Sequence, residues 1–133
     1  MGCYVAKTEP GTYSIDDLAR DKQTVWDGVT NPQAVKAIQS MRKGDRVFIY
    51  HSGGQSAIVG LAKVISAPSQ DPKNPKSWTV GLQFVRKLDP PTTLAEIKAD
   101  PKFASWALVR QGRLSTMEAP ESFREWMSER YGL

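Results

Sequence analysis

The chain has 133 residues, a formal net charge of +4 and one cysteine, Cys3. A chain of this size buries roughly 70% of its unfolded surface, so neither a disulfide nor a structural metal is needed, and a lone cysteine excludes an internal disulfide. No segment approaches the ~20 apolar residues of a membrane span, and the N-terminus lacks a secretory apolar run, so the expectation is a cytoplasmic protein that does not enter membranes.

The distribution of charge says more than its sum. Residues 36–87 carry nine Lys/Arg against Asp45 and Asp71, a net +7, whereas residues 1–35 total −2 and residues 88–133 total −1. Such an excess attracts polyanions, although a solvated lysine surface has the same composition.

In chain order, Cys3-Tyr4-Val5-Ala6 reads as a short strand broken at Glu9-Pro10-Gly11. Ser14 followed by Asp17 makes a capping-box pattern at a first helix with Ile15 and Leu18 inward. Asn31-Pro32 opens a second helix, whose Ala34, Val35, Ile38 and Met41 share a face. Arg46–His51 is a strand ending at the Gly53-Gly54 turn, and Ile58–Ile65 is a strand apolar on both faces, with Gly60 at a bend or close approach. Pro68–Pro75 reads as a polar loop, and Trp78, Val80, Leu82 and Phe84 alternate with polar positions as a half-buried strand. Thr93 and Glu96 cap a short helix that Pro101 ends. Pro120 opens the last helix, where Phe123, Trp126, Met127 and Tyr131 form a stripe expected to pack in the core. Several strands with peripheral short helices predict an α+β barrel in one domain, residues 1–133.

Catalytic parts are scarce. The sole histidine, His51, adjoins Ser52 on a strand, where neighbours point to opposite faces, so the two do not form a nucleophile pair. One histidine and one cysteine do not assemble a usual zinc site, and Gly53-Gly54 lacks the rest of a phosphate loop. The expectation is no catalytic residue, no metal and no cofactor. Base binding is better supplied: Trp26, Tyr4, Tyr50, Phe48 and Trp78 offer rings for stacking, although residues such as Phe48 and Trp78 are more often core. Thr8, Asn31, Ser52 and Ser115 offer uncharged donors and acceptors, and Lys7, Arg110 and Arg113 offer phosphate contacts. Asn31 also fits a plain helix cap.

Six motifs occur in order: Lys7-Thr8-Glu9-Pro10, Trp26-Asp27-Gly28-Val29, Tyr50-His51-Ser52, Ile58-Val59-Gly60, Phe84-Val85-Arg86-Lys87-Leu88 and Gly112-Arg113-Leu114-Ser115. Together they resemble the EVE domain family of the PUA-like group, over residue 3 to about 118. The resemblance implies a PUA-like β-barrel of about five to six strands flanked by short helices. It further implies a non-catalytic reader, acting as a monomer, that holds a modified, cytosine-derived base of DNA or RNA in an aromatic pocket. A small-molecule or nucleoside-binding regulatory domain using the same pocket is the alternative. The ligand-binding residues carried over are Lys7, Thr8, Glu9, Trp26, Asn31, Gln33, His51, Ser52, Arg113, Leu114 and Ser115. The chain departs from the family pattern at Pro32, where Tyr is usual, at Thr30 and Val35, which replace two arginines, and at Tyr4, often Trp.

Overall fold

A computed structural model of the chain describes residues 2–133. Its strands are β1 (Cys3–Thr8), β2 (Gln23–Trp26), β3 (Arg46–His51), β4 (Ala57–Val64), β5 (Ser69–Asp71), β6 (Asn74–Thr93) and β7 (Thr116–Glu118). The helices are α1 (Ile15–Asp21), α2 (Pro32–Gln39), α3 (Leu94–Ala99), α4 (Ala107–Arg110) and α5 (Glu121–Tyr131), with a 3-10 turn at Pro101–Phe103.

The sheet order is β2-β6-β4-β3-β1-β7, with β5 paired to β6. β1 runs parallel to β3, and every other pairing is antiparallel. The fold is α+β, with seven strands among the described residues where five or six were expected. Its ladder is open, since β2 and β7 are its unjoined ends. Four strand spacings of about 4.8 Å separate β2 from β1, about 19 Å if the sheet were flat. Residues from the ends of both nevertheless line one cleft, so the sheet curls strongly. Register shifts between Ile49 and Tyr50, Ile58 and Gly60, and Leu61 and Ala62 supply the local bends.

Local signals match local structure. Ser14 and Asp17 close a capping box on α1, Thr93 and Glu96 close another on α3, and Asn31 caps α2 with Pro32 as its first residue. Gly60 marks a close approach: a β-carbon there would lie 2.2 Å from Ile15 Cδ1, so the missing side chain lets α1 settle onto β4. The stripe on α5 packs inward as expected, with Phe123 and Met127 fully buried and the Phe123 ring edge-on to Phe48 at 5.5 Å and Phe103 at 5.6 Å.

Two expectations are corrected. The Pro68–Pro75 segment contains β5 and turns at once into β6, because Gln70 and Asp71 find backbone partners on that strand. The half-buried strand around Trp78–Phe84 is the middle of a twenty-residue strand, which borders β5, β2 and β4 in turn. β2, β7 and α4 were not anticipated at all.

Candidate functional site

A cleft of about 450 Å³ opens where the ends of β1 and β2 meet the segment before β7. Its walls are Lys7 and Thr8 of β1, Thr12 and Tyr13 after the first turn, Thr24 to Trp26 of β2, Asp27 to Val29, and Ser115.

Backbone and side-chain hydrogen bonds build it from distant sequence. The Thr12 and Tyr13 N–H groups both donate to Glu9 O at 2.9 Å, closing the turn after β1. Thr8 Oγ1 donates to Tyr13 O at 2.8 Å and fixes Tyr13 against β1. The Tyr13 ring then meets Trp26 edge-on, centroids 6.3 Å apart at 81°. Lys7 N–H donates to Ser115 O at 2.7 Å, and Lys7 Nζ donates to Gly112 O at 3.1 Å, clamping residues 112–115 beside β1. Lys7 Nζ also sits 5.2 Å from the centre of the Tyr50 ring, and burial pulls its pKa below the usual lysine range. The lysine is therefore a positioned cation at the cleft wall.

Trp26 is only 9% exposed. Its ring is held by the core and gives the cleft a fixed edge rather than a mobile platform. Gly28 follows with φ +76°, open space around it and no steric demand, so the glycine is there for its backbone conformation. That turn carries the chain to Asn31, whose Oδ1 accepts from Gln33 N–H at 2.9 Å and Ala34 N–H at 3.2 Å.

Of the residues expected at the site, the structure brings Lys7, Thr8, Trp26 and Ser115 into this cleft. Gln33 and Leu114 line a separate cleft of about 300 Å³ between α2 and β7, where Leu114 is buried. Asn31, Glu9 and Arg113 are exposed outside the lining, and Ser52 N–H and Oγ donate to Thr8 O at 2.9 and 3.4 Å from behind. His51 faces a third cleft with Gln55 and Lys87. Its Nε2 accepts the Ile15 N–H at 3.0 Å, and burial holds its pKa below the ordinary histidine value against the opposing pull of Asp16. His51 thus ties the end of β3 to the start of α1.

Among the other candidate rings, Tyr4, Phe48 and Tyr50 are buried, and Tyr4 OH lies 3.0 Å from Ser40 Oγ. Tyr13 and Val25 were missed. Tyr13 directly precedes the Ser14 cap, a position where apolar residues commonly brace a helix start, which is the one sequence signal it carries. The cations of residues 36–87 do not gather at the cleft. Arg46 and Arg86 reach α5 through Ser128 Oγ and Tyr131 O, Lys87 pairs with Asp16 at 2.7 Å, and Lys36 lines the α2–β7 cleft.

The EVE domain family matches residues 3–130. The chain belongs to the EVE domain family. Human thymocyte nuclear protein 1 is 37% identical over 106 residues, covering 65% of this chain and 47% of the human protein. The chain spans about half the length of the curated relatives it matches. A solved structure from Rhodopseudomonas palustris superposes on this EVE domain with a TM-score of 0.90 at 32% identity, covering 99% of this chain and 94% of that one. The human THYN1 protein, solved in complex with 5-methylcytosine-containing DNA, superposes with a TM-score of 0.87 at 25% identity, covering 100% of this chain and 99% of that one. Among the described residues, no helix is long and apolar enough to cross a membrane.

Proposed function

We propose that this EVE domain is a non-catalytic nucleic-acid reader that takes a modified, cytosine-derived base into the cleft beside Trp26. The observation that carries the reading is convergence: three motifs separated by up to about a hundred residues place Lys7, Thr8, Trp26 and Ser115 around one opening. Trp26 and Tyr13 supply ring edges and faces against which a base packs, and stacking of this kind is worth about 1–3 kcal/mol per base. Thr8 and Ser115 supply hydroxyls that both donate and accept, suited to a base edge. Lys7 supplies a cation for a phosphate or an exocyclic oxygen. The likeness to a protein solved with 5-methylcytosine-containing DNA supports cytosine modification as the feature read.

The cleft volume of about 450 Å³ falls within the range of small-ligand sites, so it admits a base together with part of its sugar. Extrusion favours a modified or poorly paired base, because less stacking and pairing is given up.

Binding of the purified domain to short DNA and RNA oligomers tests this, comparing unmodified cytosine with 5-methyl- and 5-hydroxymethylcytosine at two salt concentrations. A preference for one modified oligomer, lost in Trp26→Ala, is the expected result. Equal, salt-steepened affinity for all oligomers would reduce the domain to a generic basic surface. Binding of a free modified nucleoside with no polymer binding would favour a nucleoside-binding regulator.

A further inference from the structure

We propose that the cleft of about 300 Å³ between α2 and β7 is a second ligand site. Its ligand is a planar, base-sized ring whose edge carries a hydrogen-bond donor beside an acceptor, the chemistry of a nucleobase. The cleft shares no lining residue with the Trp26 cleft, so the inference stands apart from the reading given above.

Thr116, which lines the cleft, carries the argument. It is fully buried, yet its hydroxyl has no hydrogen-bond partner among the described residues. Such an oxygen costs free energy unless something satisfies it, so orphaned buried hydroxyls are uncommon. The main chain of Thr116 is in the same state. Where β7 pairs with β1, Ala119 N–H donates to Cys3 O and Lys7 N–H donates to Ser115 O, both at 2.7 Å. Antiparallel ladders alternate, so Ser115, Met117 and Ala119 turn their peptide groups toward β1, and Thr116 and Glu118 turn theirs outward. β7 is an end strand, and among the described residues nothing bonds to the Thr116 N–H or C=O. Strand alternation also puts the side chains of Thr116 and Glu118 on one face. That face is the one toward α2, because Ser40 Oγ at the end of α2 donates to Glu118 Oε1 at 3.4 Å. One residue therefore presents a donor, an acceptor and a hydroxyl that can be either.

The surroundings choose the occupant. The walls are apolar, formed by Ala37 of α2, Ala107 of α4, Leu114 and Met117. Two of these four are alanines, whose short side chains leave the width that a flat ring needs. Apolar walls with a few convergent polar groups are the usual make-up of small-ligand sites, and about 300 Å³ is the lower end of their size. An extended peptide fits less well. Strand addition uses successive free edge groups, and Glu118 O already accepts the Trp106 Nε1–H at 2.8 Å. What stays free is the N–H and C=O of one residue, side by side, which complements the adjacent acceptor and donor on the pairing edge of a base.

The test titrates the isotopically labelled domain with uridine, cytidine, adenosine and guanosine and follows the amide chemical shifts. Shifts at Thr116, Ala107 and Ala37, with little change at the Trp26 indole N–H, are the expected result. Thr116→Val keeps the shape and removes only the hydroxyl, so Kd should rise about two- to tenfold. Its thermal midpoint should not fall, because the hydroxyl has no partner inside the protein. Ala107→Leu fills the cleft and should abolish these shifts while leaving binding at the Trp26 cleft in place. A parallel titration with a short unmodified oligonucleotide separates two sources of such a ring. Shifts at Thr116 from free nucleosides support a small-molecule ligand, and shifts from the oligonucleotide alone support a base of a bound strand. No shift at Thr116 from either, at up to about 10 mM nucleoside, would overturn the proposal. Shifts confined to the Trp26 cleft, or variants that respond as the parent does, would overturn it equally. A short extended peptide that moves Thr116 where no nucleoside does would assign the edge to strand addition instead.

Discussion

Replacing Trp26 with alanine removes a ring that serves both the core and the cleft, and the two effects are separable in size. The side chain is 9% exposed and meets Tyr13 edge-on, so truncation leaves a cavity in a packed region. Large aromatic truncations of this kind cost about 3–5 kcal/mol of stability. Against a domain stability of about 5–15 kcal/mol this leaves about 0–12 kcal/mol, so the variant is assayed cold, without denaturant and with its folded fraction measured. Loss of the stacking edge removes a further contribution to binding of about 1–3 kcal/mol, a rise in Kd of about 5- to 150-fold for the modified oligomer. Anisotropy titrations at low temperature give the Kd, and a urea curve on the same preparation gives the folded fraction. Trp26→Phe should recover most of the stability but only part of the affinity, since the smaller ring offers less area. A Trp26→Ala protein that is folded and binds the modified oligomer with unchanged Kd would refute the role assigned to the ring.

Three other outcomes are expected. His51 accepts the Ile15 N–H and has a pKa below its unfolded value near 6.5, so the folded state binds fewer protons there; stability present above about pH 6.5 falls as pH drops toward the folded pKa, by at most about 1.4 kcal/mol per pH unit. Urea midpoints at pH 7.5 and 5.5 check this, and a drop of equal size in His51→Gln would assign the effect elsewhere. Asn31→Ala removes the side-chain acceptor for Gln33 and Ala34 N–H and should destabilise by about 0.5–2 kcal/mol, while Asn31→Ser should recover most of it in the same denaturation assay. Burial pushes the Cys3 thiol up to about 12, so in native buffer at pH 8 it should resist a thiol reagent and react only after denaturant is added, which a colorimetric thiol count follows directly.

The helix starts were legible because their causes are local. Ser14 with Asp17, Asn31 with Pro32 and Thr93 with Glu96 satisfy the first orphan N–H groups within three residues, whatever the rest of the chain does. The missed strands have causes far away. Gln23–Trp26 is short and half polar, and becomes β2 only because β6, whose Leu82 and Gln83 already pair with β4 on one edge, offers Val80 to Gln83 along its other edge. Thr116–Glu118 becomes β7 only because Tyr4 to Ala6 present a free edge.

The site divides along the same line, between positions that touch the cleft and positions that shape it. Lys7, Thr8, Trp26 and Ser115 reach the opening. Asn31 and His51 set a helix start and a strand-to-helix tether around it, while Gly28 does both, lining the cleft and setting its turn. Motif order locates both groups without telling them apart, because an ordered string of residues records what is needed and not the direction in which it points. Tyr13 illustrates the converse. It lies outside the ordered motifs and reaches the cleft through the Thr8 bond to its carbonyl and the pairing of β2 with β6 that sets Trp26 opposite. The wall of the cleft is in this sense a product of the sheet's curvature: where β1 and β2 are brought together, a turn residue and a strand residue become neighbours, and the aromatic pair that a base would meet is formed.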